Sequence, residues 1–258
     1  MKKAPILFLL IVLINQSQQA QNSPILPNTF FNSGEVLYYH LRYGFIVGGD
    51  VRLELNESLS GHKKLHHITG TIRTVGLADK IFKVKDIYES YFDSGSGMPV
   101  LAIQNIHEGK TYKYLNEVVY NRVDSTVKSS KSGIHKVPDN IMDVMSAFYY
   151  VRRLDFAKLK NGDCIKIQTF FEDRIFPLEF RFRGREKIST QWGKINCIKL
   201  SPIVEPGRVF KSQDDMFIWY TDDDARLLAQ ITMEMLVGHV TVELTGFSGL
   251  RNTPAFKK

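Results

Sequence analysis

The chain has 258 residues, with 34 Lys and Arg against 27 Asp and Glu for a formal net charge of +7, and only two cysteines. The excess charge is scattered among acids, as in Arg52-Leu-Glu54 and Lys83-Val-Lys85-Asp86, which argues against a nucleic-acid footprint clustered on one face. Two cysteines are too few for a disulfide scaffold or a cysteine zinc site.

Residues 1–20 read as a secretory signal peptide. Lys2 and Lys3 form a basic start, Ala4 to Ile14 an apolar core, and the polar NQSQQ leads to Ala20, a small residue suited to precede cleavage. The apolar core is well short of the ~20 residues a spanning helix needs. Cleavage after Ala20, export to the periplasm or cell envelope and a mature chain without a transmembrane segment are therefore expected. Removing the two lysines leaves a charge of +5.

Residues 21–33 read as an extended leader, and strands follow. The stretch EVLYYHLRYGFIVGGDVRLELNES is two alternating runs with a hairpin signal at Gly48-Gly49. KKLHHITGTIRT and KVKDIYESYFD are two more strands, separated by a loop around Gly76. SGSGMP is a turn, and VLAIQNIHEG and KTYKYLNEVVYNR continue the meander with a corner at Glu108-Gly109. Residues 125–137, small and polar, read as a loop.

A helix is expected over 139–153. Asp139 or Asn140 can cap it, Asp143 complements the N-terminal dipole, and Arg152 and Arg153 suit its C-terminal end. Ile141, Val144, Met145, Phe148 and Val151 form an apolar stripe that Met142 and Tyr149 widen. Strands then resume: CIKIQTFF, FPLEFRFRG, KINCIKLSPIV, DMFIWYTD, RLLAQITMEML and HVTVELTGF.

The second set of strands lies under the first at an offset near 128 residues. Gly34-Glu35 matches Gly162-Asp163, VRLEL matches LEFRF, KLHHI matches KINCI, and FKVKDIYESYFD matches FKSQDDMFIWYTD. This predicts a mainly β protein, an antiparallel meander of two pseudo-repeated halves, 34–125 and 162–250, within a single domain. Such a meander curls into a curved sheet or half-open barrel. The joining helix, needing cover for its apolar stripe, packs across it. Residues 251–258 form a basic tail.

Specific chemistry is sparse. His62, His66 and His67 are metal-type ligands, but neighbouring strand residues point to opposite faces and no third ligand stands at a matching spacing. His40, His107, His135 and His239 are isolated. Asp222, Asp223 and Asp224 fit a hairpin turn better than an acid/base pair. GFSGL, with Ser248, lacks the following helix that a nucleophile elbow requires. No catalytic, metal or cofactor residues are assigned. Cys164 and Cys197 either form one internal disulfide or remain two unpaired thiols.

Arg152 stands out, because helical geometry projects it into the apolar stripe. It snorkels to the surface, staples the helix to an acid of the sheet with Asp86 or Asp214 as candidates, or captures a ligand carboxylate or phosphate beside Phe148 and Tyr149.

The ordered set GEVLYYHLRYGFIVGGDVRLEL, KIFKVKDIYESYFD, PVLAIQNIHEG, MDVMSAFYYVRRL and FIWYTDDDARLLAQI resembles the DUF3108 family, exported bacterial proteins of unknown function, over roughly Gly34 to Phe247. The resemblance implies a Gram-negative periplasmic or envelope location and marks Arg152, not Arg153, as the family position. It brings no catalytic residues. Three functions follow as expectations. The first is a non-enzymatic envelope protein, a monomer, that binds lipid, a lipid-linked glycan or another envelope component. The second is a structural or interaction protein with a filled core, and the third a hydrolase.

Overall fold

The computed structural model describes residues 25–204, 212, 214–236 and 238–256; the signal-peptide reading of residues 1–20 lies outside them. Among the described residues the first half gives β1 (Glu35–Tyr43), β2 (Ile46–Ser60), β3 (Lys63–Thr74), α1 (Gly76–Ile81), β4 (Lys85–Asp93), β5 (Pro99–Glu108) and β6 (Tyr112–Asn121). A short hairpin, β7 (Thr126–Ser129) and β8 (Gly133–Lys136), leads into α2 (Val144–Val151). The second half gives β9 (Cys164–Phe171), β10 (Arg174–Thr190), β11 (Gly193–Pro202), β12 (Met216–Thr221), β13 (Leu228–Glu234) and β14 (His239–Ser248).

The strands form one antiparallel sheet in the order β8-β7-β6-β5-β4-β3-β2-β1-β14-β13-β12-β11-β10-β9. Each half is a meander of six strands. Those of the first begin at residues 35, 46, 63, 85, 99 and 112, and those of the second at 164, 174, 193, 216, 228 and 239, offsets of 127 to 131. Irregularities match too. The β4–β5 ladder is bulged between Tyr91 and Phe92. The β12–β13 ladder is bulged between Trp219 and Tyr220, 128 residues on.

The halves join along a hydrogen-bonded seam in which β1 pairs β14, as in Leu37 with Phe247 and Leu41 with Val242. At the opposite edges β8 and β9 do not pair, so the shell stays open as a sheet. The chain itself fills that mouth. The Met142 N–H donates to Gln168 O and the Phe170 N–H to Met142 O, both at 2.8 Å. Ser129 Oγ and Asn116 Nδ2, at 2.5 and 3.2 Å, donate to Asp173 across the same gap.

Local chemistry corrects several expectations. The first hairpin turns at Gly44-Phe45, since Tyr43 pairs with Ile46, and Gly48-Gly49 falls inside β2 beside a bulge. Gly44 supplies the positive φ of +59° that a two-residue turn needs. The loop expected over 125–137 contains β7 and β8, and the loop around Gly76 contains α1. The helix starts later than expected because Met142 is committed to a bridge with Thr169 of β9. Its cap is therefore Asp143, whose Oδ1 accepts from the Met145 and Ser146 N–H groups at 2.8 and 3.0 Å. The other carboxylate oxygen accepts from Ser90 Oγ of β4 at 2.6 Å, tying the cap to the sheet.

α2 is buried nearly all round. Val144, Met145, Ser146, Ala147, Tyr149 and Val151 are buried, while Phe148, expected on the apolar stripe, and Tyr150 are half-buried. A helix enclosed on both faces lies inside a shell rather than on a sheet surface. It approaches β3 so closely that a Cβ on Gly70 would stand 2.6 Å from Met145 Cε. Around it runs one continuous core that includes Leu37, Tyr39, Ile68, Phe92, Phe156, Phe182, Ile198, Tyr220 and Val242.

Both terminal segments pack against the domain. Ile25 bridges to Leu154, the Leu26 N–H donates to Arg153 O, and Phe30 and Phe31 are buried, so residues 25–33 are tied to the domain. Past β14, Arg251 and Asn252 bond the backbone of Asn28 and Thr29, and Phe256 packs on Trp192 and Phe247. The tail is a strap.

Candidate functional site: a buried arginine keystone

At the C-terminal end of α2, Arg152 is 3% exposed and faces Glu35, which is 0% exposed, at the first position of β1. The pair is bidentate, with Nη1 to Oε1 at 2.5 Å and Nη2 to Oε2 at 3.0 Å. Tyr149, one helical turn back, donates from its hydroxyl to Oε1 at 2.9 Å. Arg152 Nη2 also donates to Ala225 O at 2.8 Å, in the β12–β13 turn, and to Phe30 O at 3.3 Å. The guanidinium lies over the rings of Phe31 and Tyr149, 5.0 Å from each centroid, and the two rings meet edge to face at 4.9 Å.

Three stretches far apart in sequence, residues 30–35, the end of α2 and the β12–β13 turn, meet at this one side chain. Burial alone would lower the Arg152 pKa, but the charge and hydrogen bonds of Glu35 outweigh it and hold it above the ordinary arginine value. Burial pushes the Tyr149 hydroxyl well up, reinforced by Glu35, so it stays a donor. Tyr39 is shifted the same way by burial, and among the described residues its hydroxyl and Arg152 Nε have no hydrogen-bond partner. A charge pair this deep is costly to desolvate, and its multiple bonds are what make it tolerable.

Neither Asp86 nor Asp214 is the partner of Arg152. Asp86 is fully buried at the start of β4, accepts from the His107 N–H at 3.1 Å, and has an Oδ2 without a partner among the described residues. Burial pushes its pKa up to about 7. Asp214 is exposed and accepts from Arg183, Arg181 and Ser201 at 2.5, 3.3 and 3.2 Å. Burial raises its pKa, but the bonds from Arg183 more than compensate and hold it below the usual carboxylate value. The true partner, Glu35, left one trace in the sequence, the match of Gly34-Glu35 to Gly162-Asp163.

The other candidates stand apart. His66 lies near Phe31 and Phe92 on the inner side, its pKa lowered by burial, while His67 stacks on Tyr91 and contacts Glu89 at 2.7 Å. Asp223 caps the β12–β13 turn by accepting from the Ala225 and Arg226 N–H groups, and Asp222 takes Arg185. Cys164 and Cys197 are buried and unpaired. Strand β10 separates theirs, a gap of roughly 9.5 Å against the ~7 Å limit for a bridge. Burial raises both thiols, Cys197 to about 12.

One space lies beneath the helix and another beside the keystone. Beneath it, between Tyr88, Asn116, Asp143, Met145 and Phe170, the cavity is about 20 Å³, room for a single water. Beside the keystone, an open cleft of about 620 Å³ is lined by Asn28, Phe31, Glu57, His66, Arg153 and Arg251.

Fold and keystone together define a class: a β-barrel-like shell, left open at one edge, with a helix locked inside by a buried ion pair. The chain belongs to the family described as protein of unknown function (DUF3108), whose model matches residues 38–245. Among solved structures it is similar to a β-barrel-like protein of the DUF1849 family from Brucella abortus. That match has TM-score 0.55 and 10% identity over 88% of this chain and 98% of that one, and it supports the fold alone. A DUF1329 family protein from Desulfovibrio piger aligns at TM-score 0.18 and 11% identity over 84% and 85% of the two chains, too low to bear on the fold. No curated protein matches. Among the described residues, no helix is long and apolar enough to cross a membrane, and no group of three or more His, Cys, Asp or Glu could hold a metal ion.

Proposed function

We propose that this is an exported, non-catalytic cell-envelope protein that works as a filled scaffold, presenting its rims and outer face to other envelope components. The observation that carries this reading is the space under α2. A shell that stores an apolar ligand needs a cavity of several hundred Å³, whereas the space beneath α2 is about 20 Å³ and, among the described residues, Met145, Tyr149 and their neighbours pack around it. The histidines and aspartates that a hydrolase would need are divided among β3, the β5 end and the β12–β13 turn.

One observation favours a second reading, binding of an amphipathic anion at the surface. The open cleft beside the keystone combines the Phe31 ring with Arg153 and Arg251. Native mass spectrometry after gentle purification from an envelope fraction separates the two. The scaffold reading expects a bare protein mass. A retained lipid-sized mass that disappears in Arg153→Gln would replace it with the cleft reading.

A further inference from the structure

The end of the shell away from the keystone carries an apolar rim that the fold does not require. We infer that this rim docks on an anionic lipid bilayer. The β1–β2 turn needs Gly44 for its backbone, yet the adjoining apex residue is Phe45, 89% exposed, followed by exposed Ile46. Next to it, α1 buries none of its residues and holds Leu77 and Ile81 at 64% and 76% exposure, with Phe82 exposed at its end. Leu236, in the β13–β14 turn, is exposed as well.

These side chains form a contiguous line. The Gly44 N–H donates to His239 O, and Tyr43 packs on Gly238, which joins the β13–β14 turn to the β1–β2 turn. The Val75 N–H donates to Gly48 O and Ala78 abuts Gly48, which brings α1 alongside. Phe82 then lies over Gly109 in the β5–β6 turn.

Charge selects the occupant. Lys80, Lys83, Lys85 and Lys110 flank this line, all exposed and, among the described residues, without an ion pair. Of the nearby acids, Asp50 is paired with Arg73 and His40, while Asp79, bonded by the neutral Thr74 hydroxyl, and the exposed Glu234 keep their negative charge, two acids against the four lysines. Aromatic and aliphatic tips on separate protruding turns, ringed by lysines, are the composition of an interfacial anchor: the tips enter the headgroup layer and the lysines meet anionic lipid. A protein partner would be expected to favour a flatter, continuous patch.

The test is co-sedimentation of the mature chain with vesicles of equimolar phosphatidylethanolamine and phosphatidylglycerol, and with phosphatidylcholine vesicles. The wild type should pellet with the anionic vesicles and much less with the neutral ones. Phe45→Ser with Leu77→Ser and Ile81→Ser should lower binding roughly tenfold or more, with an unchanged thermal midpoint because all three side chains are exposed. Replacing the four lysines by Gln should weaken anionic binding by a similar factor and leave phosphatidylcholine unaffected. Wild-type protein remaining in the supernatant overturns the inference, as does a serine variant that binds as well as wild type. A wild-type dimer that the serine variant converts to monomer, without vesicle binding, would instead make a second copy the occupant.

Discussion

The two halves start alike and end up doing different work. Gly34 and Gly162 have φ of +96° and +97°, and each donates its N–H to the interior of the second strand of its half, to Leu55 O of β2 at 2.7 Å and Phe182 O of β10 at 2.8 Å. The carboxylate that follows is nearly the same residue in the two places. Glu35 closes on Arg152 in the core, whereas Asp163 accepts from the Lys160 N–H at the surface. The difference lies in what passes nearby. The single helix between the halves reaches only one of the two equivalent strand starts, so one acid becomes a keystone and the other a turn cap. A repeat in backbone therefore does not imply a repeat in energetics.

The largest break in this asymmetry is Arg152→Met, which leaves Glu35 buried and uncompensated. Chemical denaturation should register a loss of about 3–5 kcal/mol. Replacing Glu35 by Leu in the same chain should recover part of that loss, since removing both charges costs less than removing one. Next in size, Glu35→Gln should destabilise by roughly 1–3 kcal/mol, the scale of a lost charged hydrogen-bond network, while the equivalent Asp163→Asn stays within about 1 kcal/mol. Equal losses in the two variants would mean that the keystone contributes nothing beyond the turn.

A smaller effect, opposite in sign between the halves, concerns Asp86 and Asp214. The raised pKa of Asp86 means that the native state holds its proton between 3.8 and about 7. Its contribution is full below that window and is lost as pH rises through it. The lowered pKa of Asp214 does the reverse: stability present above its ordinary pKa is lost as pH falls through the lowered value. Asp86→Asn should flatten the decline in thermal midpoint toward pH 7, and Asp214→Asn should lower stability slightly at neutral pH and spare the acid side. The smallest effect expected is on the thiols. Neither Cys164 nor Cys197 should react with a disulfide reagent until the chain is unfolded, whereas rapid labelling of the native protein would show that the second half opens locally.

Much of the architecture was legible because it is periodic. Alternation in segments such as VRLEL and LEFRF, and helical spacing from Val144 to Val151, report which way side chains face, and the repeat follows from their order. The family resemblance read from the same segments agrees with the match over 38–245. Arg152 was visible as a charge in an apolar stripe. Its partner was not, because an acid at a strand start looks like an ordinary turn residue, and 117 positions of chain separate the two. The β7–β8 hairpin was hidden by its small polar residues, which carry no apolar period. The helix start was missed because Met142 bonds to β9, a tertiary contact that overrides capping preferences at Asp139 and Asn140.

The β1–β14 seam sets the order in which the molecule can be completed. It pairs Val36 with Ser248, so a chain delivered from its N-terminus presents β1 with one unpaired edge until the last strand arrives. Contacts of such sequence separation form late and slowly. Meanwhile the best available match for the waiting edge is the β14 of another copy. An exchanged dimer is thus the folding error that this seam permits, and it is suppressed once each β14 closes on its own β1.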